Sequence, residues 1–239
     1  CLEIGVHIAD VDAFVSVGSA LDREAARRCT TFYLVDRRYN MLPERLSGDV
    51  CSLHEGVDRL AVSVVFRVEE DTWEIQREHT WFGRTVIRNR AAMTYGQGHA
   101  LLHDADPNAG VKRPHPPLTA GNAVEKSLHP LLKRDLRTLT LFARALKEGR
   151  TRGGAVDLSG GGGGEAEGGE RLGSGGELKF ELGPDGTPRA VAPAPDLEIH
   201  HTIAELMIVA NSAVASFVHA RFPLHALLRV HRPPRDDGA

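Results

Sequence analysis

The stretch that most constrains the fold is residues 196–222, a helical segment with few charged side chains. Between Ile203 and Val218 its apolar residues are spread nearly all round the helix instead of along one stripe. A helix of this kind is stable in water only when other elements cover it on most sides. We therefore predict a central, buried helix, which the remaining chain must enclose.

Alternating strands provide one enclosing layer. Residues 2–11, "LEIGVHIADV", alternate apolar and polar side chains with a period of two, as a half-buried strand does. Residues 58–89 contain two further alternating runs joined across "EEDTW", which predicts a long antiparallel hairpin. The β-branched and aromatic run "TTFYLV" (30–35) predicts another strand, and residues 177–193 predict a second hairpin.

Helices provide the other layer. Ser19 and Asp22 can cap a helix of about ten residues before Cys29, and a helix weakened by its glycines is expected within residues 90–104. Residues 123–154 carry leucines at three- and four-residue steps, which predicts a long amphipathic helix interrupted or bent near Pro130. The fold class is therefore α/β in the mixed α+β sense, a twisted mixed β-sheet flanked by helices. A further strand is expected at "HALLRVHRPP" (225–234).

Composition limits the setting of the protein. The chain contains no uninterrupted run of about 18 apolar residues, so no membrane partner is expected. Its three cysteines are an odd number without CxxC spacing, which argues against a disulfide framework or a thiolate zinc site. An intracellular location follows, in the cytoplasm or alternatively the nucleus. The net charge of −3 does not indicate nucleic-acid binding, but a binding channel needs only local positive charge.

Residues 159–176, "SGGGGGEAEGGERLGSGG", interrupt the chain with glycine and polar residues. Ordering them would cost more conformational entropy than their side chains could recover by burial. We expect a disordered insertion within a single domain that covers residues 1–239.

Five motifs resemble one known family when they are taken in order. They are "LEIGVHIADV", "YLVDRRYNMLPERLSGDVCSL", "FGRTVIRN", "LEIHHTIAELMIVAN" and "ALLRVHRPP". Together they resemble part of the central catalytic (RNB) domain of the ribonuclease II and ribonuclease R family, most closely its eukaryotic exosome-type and Dis3-like members. The resemblance extends over nearly the whole chain except the glycine-rich insertion.

The resemblance implies a magnesium-dependent exoribonuclease that hydrolyses single-stranded RNA from its 3′ end to nucleoside 5′-monophosphates. In the family, a D-I-D-D-A-type motif that binds the metal lies just before the strand that opens this chain. The family's catalytic arginine lies beyond the position of Ala239. We therefore expect Mg²⁺ in the complete enzyme, but no catalytic residue and no metal ligand within residues 1–239, which alone should be inactive.

Four residues match positions that contact RNA in the family. Tyr33 corresponds to an aromatic ring that stacks on the 3′-terminal base, with packing inside the sheet as its alternative. Glu205 corresponds to an acidic position facing ribose hydroxyls, with helix packing as its alternative. Arg229 and His231 correspond to residues that could meet phosphates.

Four further residues are expected to support the site without contacting the reacting atoms: His7, Asp10, Pro43 and Asn211. His7 and Asp10 lie on the opening strand and at its end, Pro43 starts a helical turn, and Asn211 follows Glu205 along the buried helix.

Single-stranded RNA is the expected partner, with the exosome core as a further candidate. Two alternatives stay open. A non-catalytic RNA-binding relative with a degenerate metal site would share every feature of this sequence. A zinc hydrolase is indicated only by the spacing of His201 and Glu205 beside His200, for which no distal ligand is evident.

Overall fold

The computed structural model describes residues 1–34, 37–109, 122–155, 178–182, 188–193, 196–228 and 230. Within these residues the chain forms seven strands and four α-helices. The strands are β1 (Leu2–Ala9), β2 (Phe32–Tyr33), β3 (Arg38–Tyr39), β4 (Asp58–Val68), β5 (Trp81–Arg88), β6 (Leu178–Leu182) and β7 (Pro188–Pro193). The helices are α1 (Ala20–Arg28), α2 (Tyr95–Leu102), α3 (His129–Arg152) and α4 (Glu198–Arg221).

The main sheet has three strands in the order β1-β4-β5, all antiparallel. Two small two-stranded sheets, β2-β3 and β6-β7, are also antiparallel. The expected mixed α+β architecture is confirmed. Parallel pairing among the described residues is confined to an isolated bridge between Glu55 and Asn89.

The core lies between one face of the main sheet and helices α3 and α4. Ile4, Val64 and Phe66 project from the sheet onto Phe142 of α3 and Leu206 of α4. Phe66 is 1% exposed and Phe142 is not exposed at all. Burying each ring contributes roughly 1.5–3 kcal/mol to the stability of the fold. The alternating pattern of the strands thus stabilises the domain by placing apolar side chains on the buried face of the sheet. A smaller cluster joins α2, α3 and the start of α4.

Helix α4 differs from the all-round burial that its sequence predicts. Its buried residues lie toward α3 and the sheet, and they are Ile199, Thr202, Glu205, Leu206 and Ala210. Ile208 and Val214 are exposed. The prediction of a fully enclosed helix is therefore wrong for the described residues, because they supply a layer against only one side of α4.

Three other expectations need correction. The helical segment is interrupted near Pro130, where a 3₁₀ turn over Lys126–Leu128 gives way to α3, but Pro130 does not bend α3, because it lies at the beginning of that helix, where the missing backbone N–H breaks no hydrogen bond. The turn at residues 69–73 is present, but a further irregular segment with a 3₁₀ turn at Arg77–His79 precedes β5. Of the strand expected at residues 225–234, residues 225–228 pair with no neighbouring strand in the described part of the chain, and residues 229 and 231–234 lie outside it.

Helix α4 is long and apolar enough to cross a membrane by length and composition, the one such helix among the described residues. Core helices of soluble proteins meet the same two criteria. The buried residues of α4 pack on α3 and on the sheet, as those of a core helix do. That the protein has no membrane partner stays a prediction.

Candidate functional site

Tyr33 lies on a short hairpin formed by β2 and β3 and is 77% exposed. Two contacts fix the base of this hairpin. The Met41 N–H donates to Thr31 Oγ1 at 3.1 Å, and Arg28 donates to the Asn40 carbonyl at 3.0 Å. Packing of Tyr33 inside the sheet is therefore wrong. Its ring is free to stack on a ligand, and its predicted role in RNA binding stays a prediction.

Pro43 follows the hairpin and starts a helical turn that continues as a π-helix over Arg45–Val50. The Pro43 carbonyl accepts hydrogen bonds from the N–H groups of Leu46 at 2.9 Å and Ser47 at 3.0 Å. Pro43 itself is exposed. Its geometry is that of a residue that shapes the chain after the hairpin.

Asp10 directly follows β1 and is 3% exposed. Its carboxylate Oδ2 lies 3.2 Å from Nε of Arg84 on β5, while Oδ1 is buried without a hydrogen-bond partner. Arg84 also binds Asp12. No local pattern in the sequence indicates Arg84 as the partner of Asp10, because its side chain is largely exposed and the two residues are far apart in the chain.

His7 belongs to a chain of hydrogen bonds across the outer face of the sheet. Its Nδ1 lies 2.6 Å from Ser63 Oγ, which lies 2.6 Å from Thr85 Oγ1. Ser63 has no exposed surface, so it cannot act as a nucleophile on an external substrate. Partial burial lowers the pKa of His7 below its ordinary value. These contacts suit a scaffold role.

Glu205 faces α3 and is 6% exposed. Arg150 donates from Nε to Glu205 Oε2 at 3.0 Å and from Nη2 to the other carboxylate oxygen. The contacts of Glu205 in this structure are those of helix packing. A ribose hydroxyl would have to share an oxygen that already accepts from a guanidinium, and this role stays a prediction.

A groove of about 360 Å³ with several charged residues in its lining runs beside Glu205 between α3 and α4. Arg144 and Glu198 form an ion pair across it, and His201 Nε2 lies 2.8 Å from Asp196 Oδ1. The charges on this groove largely compensate one another. No local pattern in the sequence indicates Arg150 and Arg144 as partners, because these ion pairs join residues more than 50 positions apart.

The zinc hydrolase alternative has no support in this geometry. His201 faces Asp196, whereas the His200 ring packs edge-on against Tyr95 at 4.4 Å. Among the described residues, no group of three or more His, Cys, Asp or Glu side chains lies close enough to hold a metal ion.

The remaining site predictions are not brought together. Asn211 is exposed, whereas Glu205 is buried, so the two residues do not share one face of α4. Arg229 and His231 lie outside the described residues, as does the insertion at 159–176.

Known proteins resemble this chain in sequence and in fold. DIS3-like exonuclease 2 of Schizosaccharomyces pombe is 34% identical over 234 residues, which cover 98% of this chain and 22% of that protein. Exosome complex exonuclease RRP44 of Mus musculus is 34% identical over 234 residues, covering 98% of this chain and 20% of that protein. The chain thus spans about a fifth of the length of these relatives.

A solved structure has the same fold. Mycoplasma genitalium RNase R in complex with ribose methylated single-stranded RNA superposes with a TM-score of 0.69 at 21% identity, covering 92% of this chain and 29% of that one. The family model described as RNB domain matches residues 2–238. Because this match takes in nearly every residue, from the opening strand past α4, the chain belongs to the RNB domain family.

Proposed function

We propose that this chain is part of a 3′-to-5′ exoribonuclease that hydrolyses single-stranded RNA to nucleoside 5′-monophosphates. The observation that carries the proposal is the RNB domain match over residues 2–238. Relatives that are 34% identical are named exonucleases, and a protein of the same fold was solved with single-stranded RNA.

Within such an enzyme, the residues of this chain hold and orient RNA. The exposed ring of Tyr33 stands on a hairpin whose base is fixed, so it can stack on a base of any identity. The Asp10–Arg84 pair and the His7–Ser63–Thr85 chain hold the strands of the main sheet together. These are positioning roles.

Magnesium is the cofactor that we propose for the complete enzyme. The described residues do not fit a magnesium site, because the two acids at the end of β1, Asp10 and Asp12, are already bound by Arg84. Magnesium prefers several oxygen ligands at close range. The proposed ligands are the acidic side chains that the family carries just before the position of β1.

We also propose an intracellular enzyme, in the cytoplasm or the nucleus, with the exosome core as a further partner. Two observations support this. The cysteines Cys1, Cys29 and Cys51 are all free, and a relative of 34% identity is named an exosome complex exonuclease.

The activity is tested with the full-length protein and a single-stranded RNA labelled at its 5′ end. We expect progressive, magnesium-dependent shortening from the 3′ end, with nucleoside monophosphates identified by chromatography. Chelation of magnesium should stop the reaction, and a DNA strand of the same sequence serves as the matched control. Binding of the RNA without shortening would instead establish the non-catalytic relative.

A further inference from the structure

The β2–β3 hairpin exposes three aromatic side chains. Phe32 is 55% exposed, Tyr33 77% and Tyr39 52%. Each strand of this hairpin is only two residues long, so these rings enclose no core. Apolar side chains clustered at the surface indicate a contact with another molecule.

Cross-strand register divides the rings between two faces. Phe32 pairs with Tyr39, and Tyr33 pairs with Arg38. Directly paired residues project to the same side of a sheet, and successive residues project to opposite sides. One face therefore carries Tyr33 with a guanidinium, and the other carries two adjacent aromatic rings.

Arg38 supplies a positive charge beside these rings. Arg38 is half-exposed and lies 3.7 Å from Glu44, a solvent-exposed ion pair that is worth little and can be exchanged for another anion. An aromatic ring next to a guanidinium suits a base and its phosphate, since the ring stacks on the base and the cation meets the backbone.

The hairpin is also held in place before any ligand arrives. Thr31 and Met41 close its base, and Arg28 of α1 ties Asn40 to the helix. Binding of a ligand would therefore lose little conformational entropy in ordering the hairpin, which favours binding through its exposed rings.

We propose that the hairpin binds single-stranded RNA through both faces, with Phe32 and Tyr39 forming a second base-stacking surface behind Tyr33 and Arg38. The inference rests on the proposed function and extends it, because it assigns RNA contacts to Phe32, Tyr39 and Arg38. The two faces engage two different nucleotides of the bound strand.

The test measures the affinity of the full-length protein for a fluorescently labelled single-stranded RNA by anisotropy, with a chelator present to prevent hydrolysis. Tyr39→Leu and Phe32→Leu keep apolar surface but remove the aromatic face, and each should weaken binding by about 5- to 100-fold. Tyr39→Phe keeps the ring and should bind like the wild type.

A second measurement tests the charge. Arg38→Gln should reduce the slope of log affinity against log salt concentration by about 0.7, the value for one phosphate contact on a single strand. Arg38→Lys should keep the slope. A merely structural role for Arg38 would leave the slope unchanged in both variants.

Val17→Ala is the matched control, because Val17 is 90% exposed and lies outside the hairpin. Circular dichroism and thermal midpoints show whether each variant is folded. If Tyr33→Ala weakens binding while folded Tyr39→Leu and Phe32→Leu do not, the second surface is refuted and the proposed function stands. If the wild-type protein binds no single-stranded RNA, the proposed function itself fails.

Discussion

At the scale of the residue, the Glu205–Arg150 pair illustrates how a candidate ligand contact can also be a structural one. A carboxylate that is 6% exposed is stable only when its charge is compensated, and Arg150 binds both of its oxygens. The pair joins α3 to α4 close to the charged groove. Its main contribution in this structure is to hold those two helices in register.

This pair leads to a prediction about stability. Arg150→Met should lower the free energy of unfolding by about 1–3 kcal/mol, because it leaves the Glu205 carboxylate buried without its partner. The double variant Arg150→Met/Glu205→Leu should recover much of that loss. Arg144→Met, which removes a mostly exposed arginine, should cost less than about 1 kcal/mol. Urea denaturation measures all three, and equal losses at positions 144 and 150 would contradict the prediction.

His7 leads to a prediction about pH. Burial lowers the pKa of His7 in the folded protein below its value in the unfolded chain. The unfolded chain therefore binds more protons between these two pKa values, so stability falls as the pH drops below about 6.5. His7→Gln should reduce this fall, as measured by urea denaturation above and below that pH. An identical pH dependence in both proteins would show that His7 does not contribute.

Tyr33 leads to a prediction about the products of the complete enzyme. If its ring stacks on the terminal base, Tyr33→Ala should weaken the hold on short RNAs and change the length of the final product. Tyr33→Phe, which keeps the ring, should leave the hold on short RNAs and the length of the final product nearly unchanged. Unchanged product lengths on a denaturing gel would argue against a stacking role.

At the scale of the element, α2 is stabilised by a local sequence pattern, whereas the burial of α4 depends on its tertiary context. Helix α2 begins at a capping box in which the Gln97 N–H donates to Thr94 Oγ1 at 3.2 Å and the Thr94 N–H donates to Gln97 Oε1 at 2.9 Å. This local arrangement offsets the low helix propensity of Gly96 and Gly98. The burial of α4, by contrast, depends on which layers surround it.

The glycine-rich insertion leads to a prediction at this scale. Shortening residues 159–176 to a few residues in the full-length protein should leave the thermal midpoint and the rate of RNA hydrolysis unchanged, because the segment has almost no core-forming side chains. Calorimetry and the RNA shortening assay are the measurements. A fall of several degrees would indicate that the segment packs against the domain.

At the scale of the whole molecule, the chain has a packed core but no metal-binding group among its described residues. In the family the metal-binding acids lie before the position of β1, so we predict that residues 1–239 alone leave a 5′-labelled single-stranded RNA at full length in the presence of magnesium and bind it only weakly. The full-length protein, assayed beside it, should shorten the same RNA. Magnesium-dependent shortening by the short chain, retained through repurification, would contradict this and would require acidic ligands within it.

The sequence alone was enough to predict the family, the α+β class and most of the elements. These follow from local or ordered patterns, such as the alternation in β1 and β4, the cap at Ser19 and the order of the five motifs. The strand pattern alone does not predict that Tyr33 is exposed, because a β-branched and aromatic run indicates a strand without indicating how long its partner is. Only the family resemblance predicted an accessible ring at this position.

Only the tertiary structure decided which side chains meet. Arg150 reaches Glu205 from 55 positions away, and Arg84 reaches Asp12 from 72 positions away, so neither contact leaves a periodic trace in the sequence. The one-sided burial of α4 also leaves no trace in the sequence. The hydrophobicity of a helix indicates which residues can be buried, but the packing of neighbouring elements determines which of them are. The periodicity of apolar residues predicts strands and helices because these elements form between residues close together in the chain. Ion pairs and burial depend on how distant segments pack against each other, which the periodicity does not show.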